Sequence, residues 1–404
     1  MATIPLNEPK GGGAAAGPAF FAAGFRPLFL AAALHGALML PLWLAVHSGG
    51  VDLGLPFAAM LWHGHEMVFG FAGAAVGGFL LTAVPNWTGS APVAGRPLML
   101  LSALWLAGRL AFVLAGHLPP WLVAAADLAY LPLLGVLVGG PLVRAGKPRN
   151  MVFLVILALF FLSNAAVHID FVLGAGDGLA AIRLGIAVVL VMIALVGGRV
   201  VPAFTQTWLR MQGDAREIIG IGWIEKGSAV GSVAAATVLA ALLPGSAAAG
   251  AVLLAAAAIH LLRLARWRGW RTLSNPILWV LHLGYLWLVA GLALLGASSF
   301  TAAVPETAAL HALTAGSIAT MIIGVMSRAA LGHSGRMLVV SRWTVAAYVL
   351  VSLGALLRVA AGFAEAATTA LTHAGGGLWA LGWVLFAVVY VPIVTRPRAD
   401  GRPG

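Results

Sequence analysis

The chain alternates long apolar runs with short polar connections. The apolar runs are about 20 residues or longer, which is the length that a helix needs to cross the hydrocarbon core of a bilayer. Strands of an outer-membrane barrel would instead alternate apolar and polar residues over about 10 positions. The pattern therefore predicts an all-α, polytopic membrane protein with twelve transmembrane helices, at 20–47, 57–84, 97–117, 120–143, 151–173, 179–201, 222–243, 247–267, 275–296, 304–327, 341–364 and 374–395.

The second apolar run contains ionisable side chains. His63, His65 and Glu66 lie within the predicted span 57–84. A charged side chain at bilayer depth costs about 3 kcal/mol on insertion scales, so such residues usually pair, line a wet cavity or bind a cofactor. This segment therefore predicts a functional site inside the membrane.

Composition supports the membrane assignment and limits the chemistry. Hydrophobic residues make up 61% of the 404 residues and charged residues 9%, and the mean hydropathy is +1.01. A soluble domain of this size would not carry so apolar a composition. Because the chain contains no cysteine, disulfides, iron–sulfur clusters and thiolate-ligated haem or copper are excluded. Any bound metal must use histidine, methionine or oxygen ligands.

The positive charges indicate orientation. A net charge of +11 would suggest a nucleic-acid partner for a soluble protein, but here lysine and arginine lie in alternate connections between the predicted helices. Both termini are therefore predicted to be cytoplasmic and the site in the second helix to lie toward the outer face. We expect the lipid bilayer, and no nucleic acid, as a partner. The connections without lysine or arginine lie near 48–56, 118–119, 174–178, 244–246, 297–303 and 365–373.

The domain organisation follows from the same pattern. Residues 1–18 are rich in glycine, alanine and proline and predict a flexible cytoplasmic tail. Residues 19–396 form the membrane domain, and 397–404 form a second cytoplasmic tail. A cytoplasmic connection at 202–222 divides the helices into two sets of six and is expected to form a short interfacial helix.

The predicted topology gives the depth in the membrane of each polar residue within a span. Two of them, His35 and Arg109, lie near mid-depth. Those toward the outer half are His63, His65, Glu66, Asn164, His168, Asp170, Arg183, His311 and Arg358. Those toward the cytoplasmic half are Arg26, Arg199, His260, His282, Arg328 and His333.

Helical geometry divides the second helix into two faces. Residues two apart point about 200° apart, so His63 and His65 are not expected to ligate one metal together. Residues three apart share a face, as His63 and Glu66 do. We therefore expect His65 to serve one site and the face of His63 and Glu66 to serve another.

Neutral imidazole suits haem iron and copper equally well, and two facing helices can supply a pair of axial histidines without a thiol. By depth, His168 and His311 are the predicted partners of the helix 2 histidines. Haem propionates need cationic partners in a low-dielectric setting, a role open to the arginines at positions 183, 199 and 358. His260, His282 and His333 remain candidate ligands on the other side. We interpret His35 as a residue whose side chain forms a hydrogen bond between helices.

Several segments together resemble one known family, the NnrS family. The most specific is WHGHEMVFGF at 62–71. The others are GFRP at 24–27, TAVPNWTG at 82–89, GRPL at 95–98, SNAAVH at 163–168, GRVVPAFT at 198–205, LHLGY at 281–285, and the run from His311 through Thr314, Gly316 and Arg328 to GHSGR at 332–336. The resemblance implies a bacterial inner-membrane protein of twelve helices that contains haem b and copper. It also implies a link to denitrification, nitric oxide and nitrosative stress.

Three functions remain open at this point. The first is a haem- and copper-containing protein that binds or turns over nitric oxide or a related small ligand, or protects iron from it. The second is a transporter of a metal or nitrosyl-iron species through an intramembrane His, Glu and Arg pathway. The third is a redox enzyme similar to nitric oxide reductase, with an unknown electron donor. In it, Glu66 would deliver protons, although a carboxylate can also fix a histidine tautomer.

Overall fold

The computed structural model describes residues 19–402. The predicted tail at 1–18 lies outside them, as do the last two residues of the tail at 397–404. Within the described range the secondary structure is helical and contains no strand, so the all-α prediction is confirmed. The long helices are α1 (Phe25–His47), α2 (Ala59–Thr88), α3 (Arg96–Val113), α4 (Pro120–Ala145), α5 (Pro148–Leu173), α6 (Gly178–Met211), α7 (Ala229–Leu242), α8 (Ala247–Arg266), α9 (Pro276–Ser298), α10 (Glu306–His333), α11 (Arg342–Ala361) and α12 (Thr368–Thr395).

In the described part of the chain, eleven helices are long and apolar enough to cross a membrane. They correspond to eleven of the twelve predicted spans, which confirms a multi-pass membrane protein. The remaining span, predicted at 222–243, contains α7. This helix has 14 residues, or about 21 Å at the α-helical rise, and follows the segment Ile224–Ser228, which is kinked at Gly227 (φ +143°).

Local sequence explains where several helices begin and end. Pro120 and Pro276 occupy the first turn of α4 and α9, where the missing N–H is not needed. Gly89 and Gly146 end α2 and α4 with φ of +74° and +60°, a left-handed conformation that costs glycine little.

The connection after α6 differs from the prediction. The helix continues through Pro202 and ends at Met211, so no separate interfacial helix follows it. The backbone N–H of Ile218 instead donates to the side chain of Gln206 at 2.6 Å. This bond folds the irregular connection back onto the end of α6.

The helices form two compact units, each described by itself. The first comprises residues 19–185, 326–339 and 386–402, and thus holds α1 to α5. In it α2 packs on α1 and α4, and α4 packs on α3 and α5. An apolar cluster that includes Trp43, Trp62 and Phe112 fills its interior.

The second unit comprises residues 186–325 and 340–385. In it α8 packs on α7 and α9, and α10 packs on α9 and α11. A small buried cluster of Ala308, Ala312 and Val359 joins α10 to α11. The predicted division into two sets of six helices stays a prediction.

Candidate functional site

A buried cluster of metal-ligand side chains lies in the first unit. It consists of His65 from α2, Asp127 from α4 and His168 from α5, and one ligand atom from each lies within 4.8 Å of the others. The Nε2 atoms of His65 and His168 lie 3.2 and 2.8 Å from Asp127 Oδ2. Among the described residues, this is the one group of three or more such side chains.

Asn164 fixes the geometry of this cluster. Its side-chain oxygen lies 2.9 Å from His65 Nε2, and its Nδ2 donates to Asp127 Oδ2 at 2.8 Å. Asn164 and His168 are four residues apart on α5, so both side chains leave the same face of the helix. One face of α5 therefore supplies two of the four groups.

Arg109 joins the cluster to a second carboxylate. Its Nη1 donates to Glu66 Oε1 at 2.7 Å, and its Nη2 pairs with Asp127 Oδ1. Glu66 also lies against two histidines, with Oε2 3.2 Å from His35 Nε2 and Oε1 3.3 Å from His65 Nδ1. When the histidines are neutral, the charged groups of the cluster are the two carboxylates of Glu66 and Asp127 and the one guanidinium of Arg109. The buried group carries one excess negative charge and favours a bound cation.

Aromatic rings enclose the cluster. The ring of His65 stacks on Phe112 with centroids 3.8 Å apart and an interplanar angle of 10°. Phe69 lies on another side of the same imidazole, 5.1 Å away, and the His168 ring meets Phe112 edge-on at 5.6 Å. These contacts fix the imidazole planes and keep the surroundings apolar.

A π-helical segment and a glycine bring α2 into this position. The segment Glu66–Ala72 begins directly after His65, and such insertions in α-helices are frequent at functional sites. A Cβ atom at Gly70 would lie 2.6 Å from His35 Nε2 and 2.9 Å from Arg109 Nη1. Glycine at this position therefore lets both side chains reach Glu66.

The predicted two faces of α2 are only partly observed. His63 stacks on Trp43 with centroids 4.2 Å apart, on a different side from the His65 cluster. Glu66 was expected to act with His63, but it bonds Arg109, His35 and His65. The expectation was wrong for Glu66 because its carboxylate reaches the imidazole of the adjacent residue.

The candidate histidines of the second unit form separate hydrogen bonds. His260 Nδ1 lies 2.6 Å from the Tyr285 hydroxyl, and His282 Nε2 lies 2.8 Å from Thr205 Oγ1. His311 donates from Nδ1 to the carbonyl of Thr307 at 2.7 Å, and Arg358 is close enough for its charge to act on His311. His311 thus lies in the second unit, whereas the predicted partners His65 and His168 lie in the first.

The remaining predicted residues occupy other positions. The ring of His333 lies 6.0 Å from that of Phe25, near the end of α10. Arg183 and Arg358 are half-buried on α6 and α11, and Arg199 is exposed on α6. Their role as partners of haem propionates stays a prediction.

Asp127 was missed in the sequence, although a signal was present. It is the one acidic or basic residue within the predicted span 120–143, and the cost of burying a charged residue in a membrane indicates that it has a partner. For Asn164 and Arg109, the sequence indicated the depth in the membrane but not that they belong to the site. His35, expected to bond between helices, lies 3.1 Å from the Glu66 carbonyl, which confirms that interpretation.

Comparison with known proteins identifies the family. A family model described as NnrS protein matches residues 19–398, nearly the whole chain. No curated protein matches the sequence. The chain therefore belongs to the NnrS family, as the segment at 62–71 suggested.

Proposed function

We propose that this member of the NnrS family is a multi-pass membrane protein that holds a copper ion at His65, Asp127 and His168. Family membership fits a nitric oxide-related membrane protein. The observation that carries the proposal is the buried group of three donors within 4.8 Å of one another. We place the protein in the bacterial inner membrane, where it acts in nitric oxide metabolism and in protection against nitrosative stress.

The donor set suits a transition metal that keeps open positions. Two imidazoles and one carboxylate supply three ligands, and copper bound in this way can accept a further small ligand such as nitric oxide. The excess negative charge of the cluster offsets part of the charge of the cation. The same donors also suit non-haem iron, so metal analysis must discriminate between the two.

Glu66 is proposed to be a positioning residue. His65 Nδ1 lies 3.3 Å from Glu66 Oε1. A hydrogen bond donated by Nδ1 to this carboxylate leaves the Nε2 atom of His65 unprotonated toward Asp127. A carboxylate that orients a metal-ligating histidine in this way raises its basicity as a ligand. Arg109 neutralises Glu66 and keeps that carboxylate from competing for the metal.

Haem b fits less well between His65 and His168. A macrocycle with two axial histidines separates their rings, but here both Nε2 atoms lie against one oxygen, Asp127 Oδ2. His311 is the better candidate, because its Nδ1 donates to the carbonyl of Thr307 and leaves Nε2 unprotonated. We propose His311 as a haem ligand, with Arg358 as a cationic partner for a propionate.

Metal analysis and EPR spectroscopy of the purified protein test the copper site. Wild type is expected to contain stoichiometric copper, and His65→Ala and His168→Ala are each expected to lose it. His117→Ala is the matched control, because His117 is exposed in the connection between α3 and α4. A metal-free but folded wild type would contradict the proposal, as would equal copper contents in all four proteins.

Optical spectra after expression with haem supply test the haem site independently. We expect a Soret band in wild type and in His168→Ala, and its loss in His311→Ala. His373→Ala is the control, since this histidine is exposed on α12. A Soret band unchanged in His311→Ala would exclude this ligand.

The redox-enzyme alternative requires proton delivery by Glu66. The carboxylate is held by Arg109 and two histidines, an arrangement that favours a fixed orienting role over proton release. Glu66→Gln is therefore expected to alter the EPR spectrum of the bound copper. An unchanged spectrum with lost nitric oxide turnover would favour the enzyme.

A further inference from the structure

Two connections of the second unit are tied together at the ends of predicted membrane spans. Asp214, between α6 and α7, pairs with Arg268 between α8 and α9. Arg268 also donates to the carbonyl of Arg216 at 3.4 Å, and Arg266 donates to that of Ile219 at 2.9 Å. These bonds join the connections into one defined surface, here named the α6–α9 surface.

The α6–α9 surface has an excess of positive charge. The two connections and the adjoining helix ends carry three acids, Asp214, Glu217 and Glu225, against six basic residues: Arg210, Arg216, Lys226, Arg266, Arg268 and Arg271. The side chain of Arg216 is 78% exposed and that of Arg271 49% exposed. The hydrogen bond from Arg268, with help from Arg216, holds the pKa of Asp214 below its usual range. Asp214 thus stays a carboxylate, and the exposed arginines remain in excess.

Large apolar side chains lie exposed beside these arginines. Trp270 is 62% exposed and Leu273 71% exposed in the connection before α9, and Trp223 is 59% exposed just before α7. The neighbouring membrane helices end at Met211 and Arg266. The surface therefore lies at headgroup depth, where tryptophan is enriched because one part of it is apolar and one part polar.

We propose that the α6–α9 surface binds the headgroup of an anionic phospholipid such as phosphatidylglycerol. Clustered basic residues at the end of membrane helices attract anionic lipid. Arg216 and Arg271 lie beside Asp214 together with Arg268, but their side chains stay 78% and 49% exposed, so both can still approach a phosphate from outside. The exposed tryptophans and leucine fit the glycerol and upper acyl region of the same lipid, which a free phosphate ion lacks. This inference does not depend on the metal or haem proposals.

Spin-labelled lipids test the proposal on the full-length protein in phosphatidylcholine vesicles. The measured quantity is the association of labelled phosphatidylglycerol with the protein relative to labelled phosphatidylcholine. Arg216→Gln/Arg271→Gln is expected to lower the preference for phosphatidylglycerol by about tenfold. The matched control is Arg144→Gln/Arg149→Gln, which removes the same charge from exposed residues at the connection between α4 and α5.

Two further experiments separate the effect of charge from other effects of the substitutions, and a lipid site from a site for free anions. Arg216→Lys/Arg271→Lys retains the charge and is expected to keep most of the preference, while thermal unfolding of each variant confirms its fold. Inorganic phosphate added at millimolar concentration should leave the preference unchanged. Equal losses in the glutamine pair and its control would overturn the proposal. Displacement of the lipid by inorganic phosphate would show an anion site that does not require a lipid.

Discussion

Arg109 holds together two carboxylates that would otherwise repel each other inside the bilayer. It donates to Glu66 and pairs with Asp127, and all three side chains are buried. A buried ion pair adds little net stability by itself, but removing one partner leaves an uncompensated charge. The single guanidinium therefore determines whether the two carboxylates can remain buried together.

Removing that guanidinium should be strongly destabilising. Arg109→Gln is expected to lower the free energy of unfolding by about 3–5 kcal/mol, because two buried carboxylates lose their counter-charge. Adding Glu66→Gln should recover part of this loss, since one of the two charges is then gone. Unfolding of the single and double variants in detergent measures the coupling. Strictly additive effects would show that the two residues do not interact.

Gly70 is a second residue on which the cluster depends. Gly70→Ala is expected to destabilise the protein by about 1–3 kcal/mol, because the new methyl group would overlap His35 and Arg109. Gly135→Ala is the control, since nothing lies within 4 Å of a Cβ atom there. That control should be neutral or slightly stabilising, as alanine favours a helix. Similar midpoints of thermal unfolding for both variants would contradict the steric argument.

Two helices share an unusual local architecture. In α2 a π-helical segment begins directly after His65, and in α10 another, Ala312–Ile318, begins directly after His311. A π-helical segment changes the rotation of all residues that follow it relative to those before it. The two histidines thus occupy equivalent local positions, and both are candidate ligands.

At the C-terminus, Asp400 fixes the last described segment. Its carboxylate accepts from Arg398 at 2.6 Å, and the N–H of Ala399 donates to the carbonyl of Ser334 at 2.9 Å. The hydrogen bond from Arg398 is the main reason that the pKa of Asp400 falls to about 2. Because the pKa is lowered in the folded state, the stabilisation is present above about pH 4 and is lost toward pH 2.

Acidification should therefore release this segment. We expect the amide of Ala399 to lose its protection from hydrogen exchange as the pH falls from about 4 to about 2. Asp400→Asn should be weakly protected at both pH values, which separates this loss from the intrinsic pH dependence of exchange. Full protection of the wild-type amide at about pH 2 would contradict the assignment.

Hydropathy was sufficient to predict the helices, but not which side chains would meet. The depth of His65 and His168 was predictable from their position along apolar spans, and the structure brings them together on Asp127. The partner of these two histidines was not predictable. The sequence analysis expected His311, but depth carries no information on which helices are neighbours. The contact of Glu66 with His65 depends on short-range side-chain geometry, which a periodicity of 3.6 residues does not describe.

At the scale of the whole molecule, α7 determines the topology. With 14 residues it is shorter than the hydrocarbon core is thick, and Gly227, with a φ of +143°, separates it from the helical residues before it. If it crosses the bilayer, all lysine- and arginine-containing connections lie on one side. If it does not, the charged connections after α7 lie opposite those before it, against the orientation that positive charge favours and against the pairing of Asp214 with Arg268.

We therefore predict that α7 crosses the membrane and that both termini are cytoplasmic. The chain has no cysteine, so a single introduced cysteine reports its own side. In cells treated with a membrane-impermeant thiol reagent, Asp52→Cys and Ser299→Cys should be labelled, whereas Ala145→Cys and Ala399→Cys should not. Position 52 precedes α7 and 299 follows it, and both connections lack positive charge.

The two cysteines after α7, at positions 299 and 399, distinguish a chain in which α7 crosses the membrane from one in which it does not. If α7 does not cross, position 399 becomes accessible and position 299 protected, while the pair before α7 is unchanged. Permeabilised cells supply the control, since all four cysteines should then react if each is solvent-accessible. Because a missing crossing inverts every later connection, the pattern at 299 and 399 separates twelve crossings from eleven without reference to the metal site.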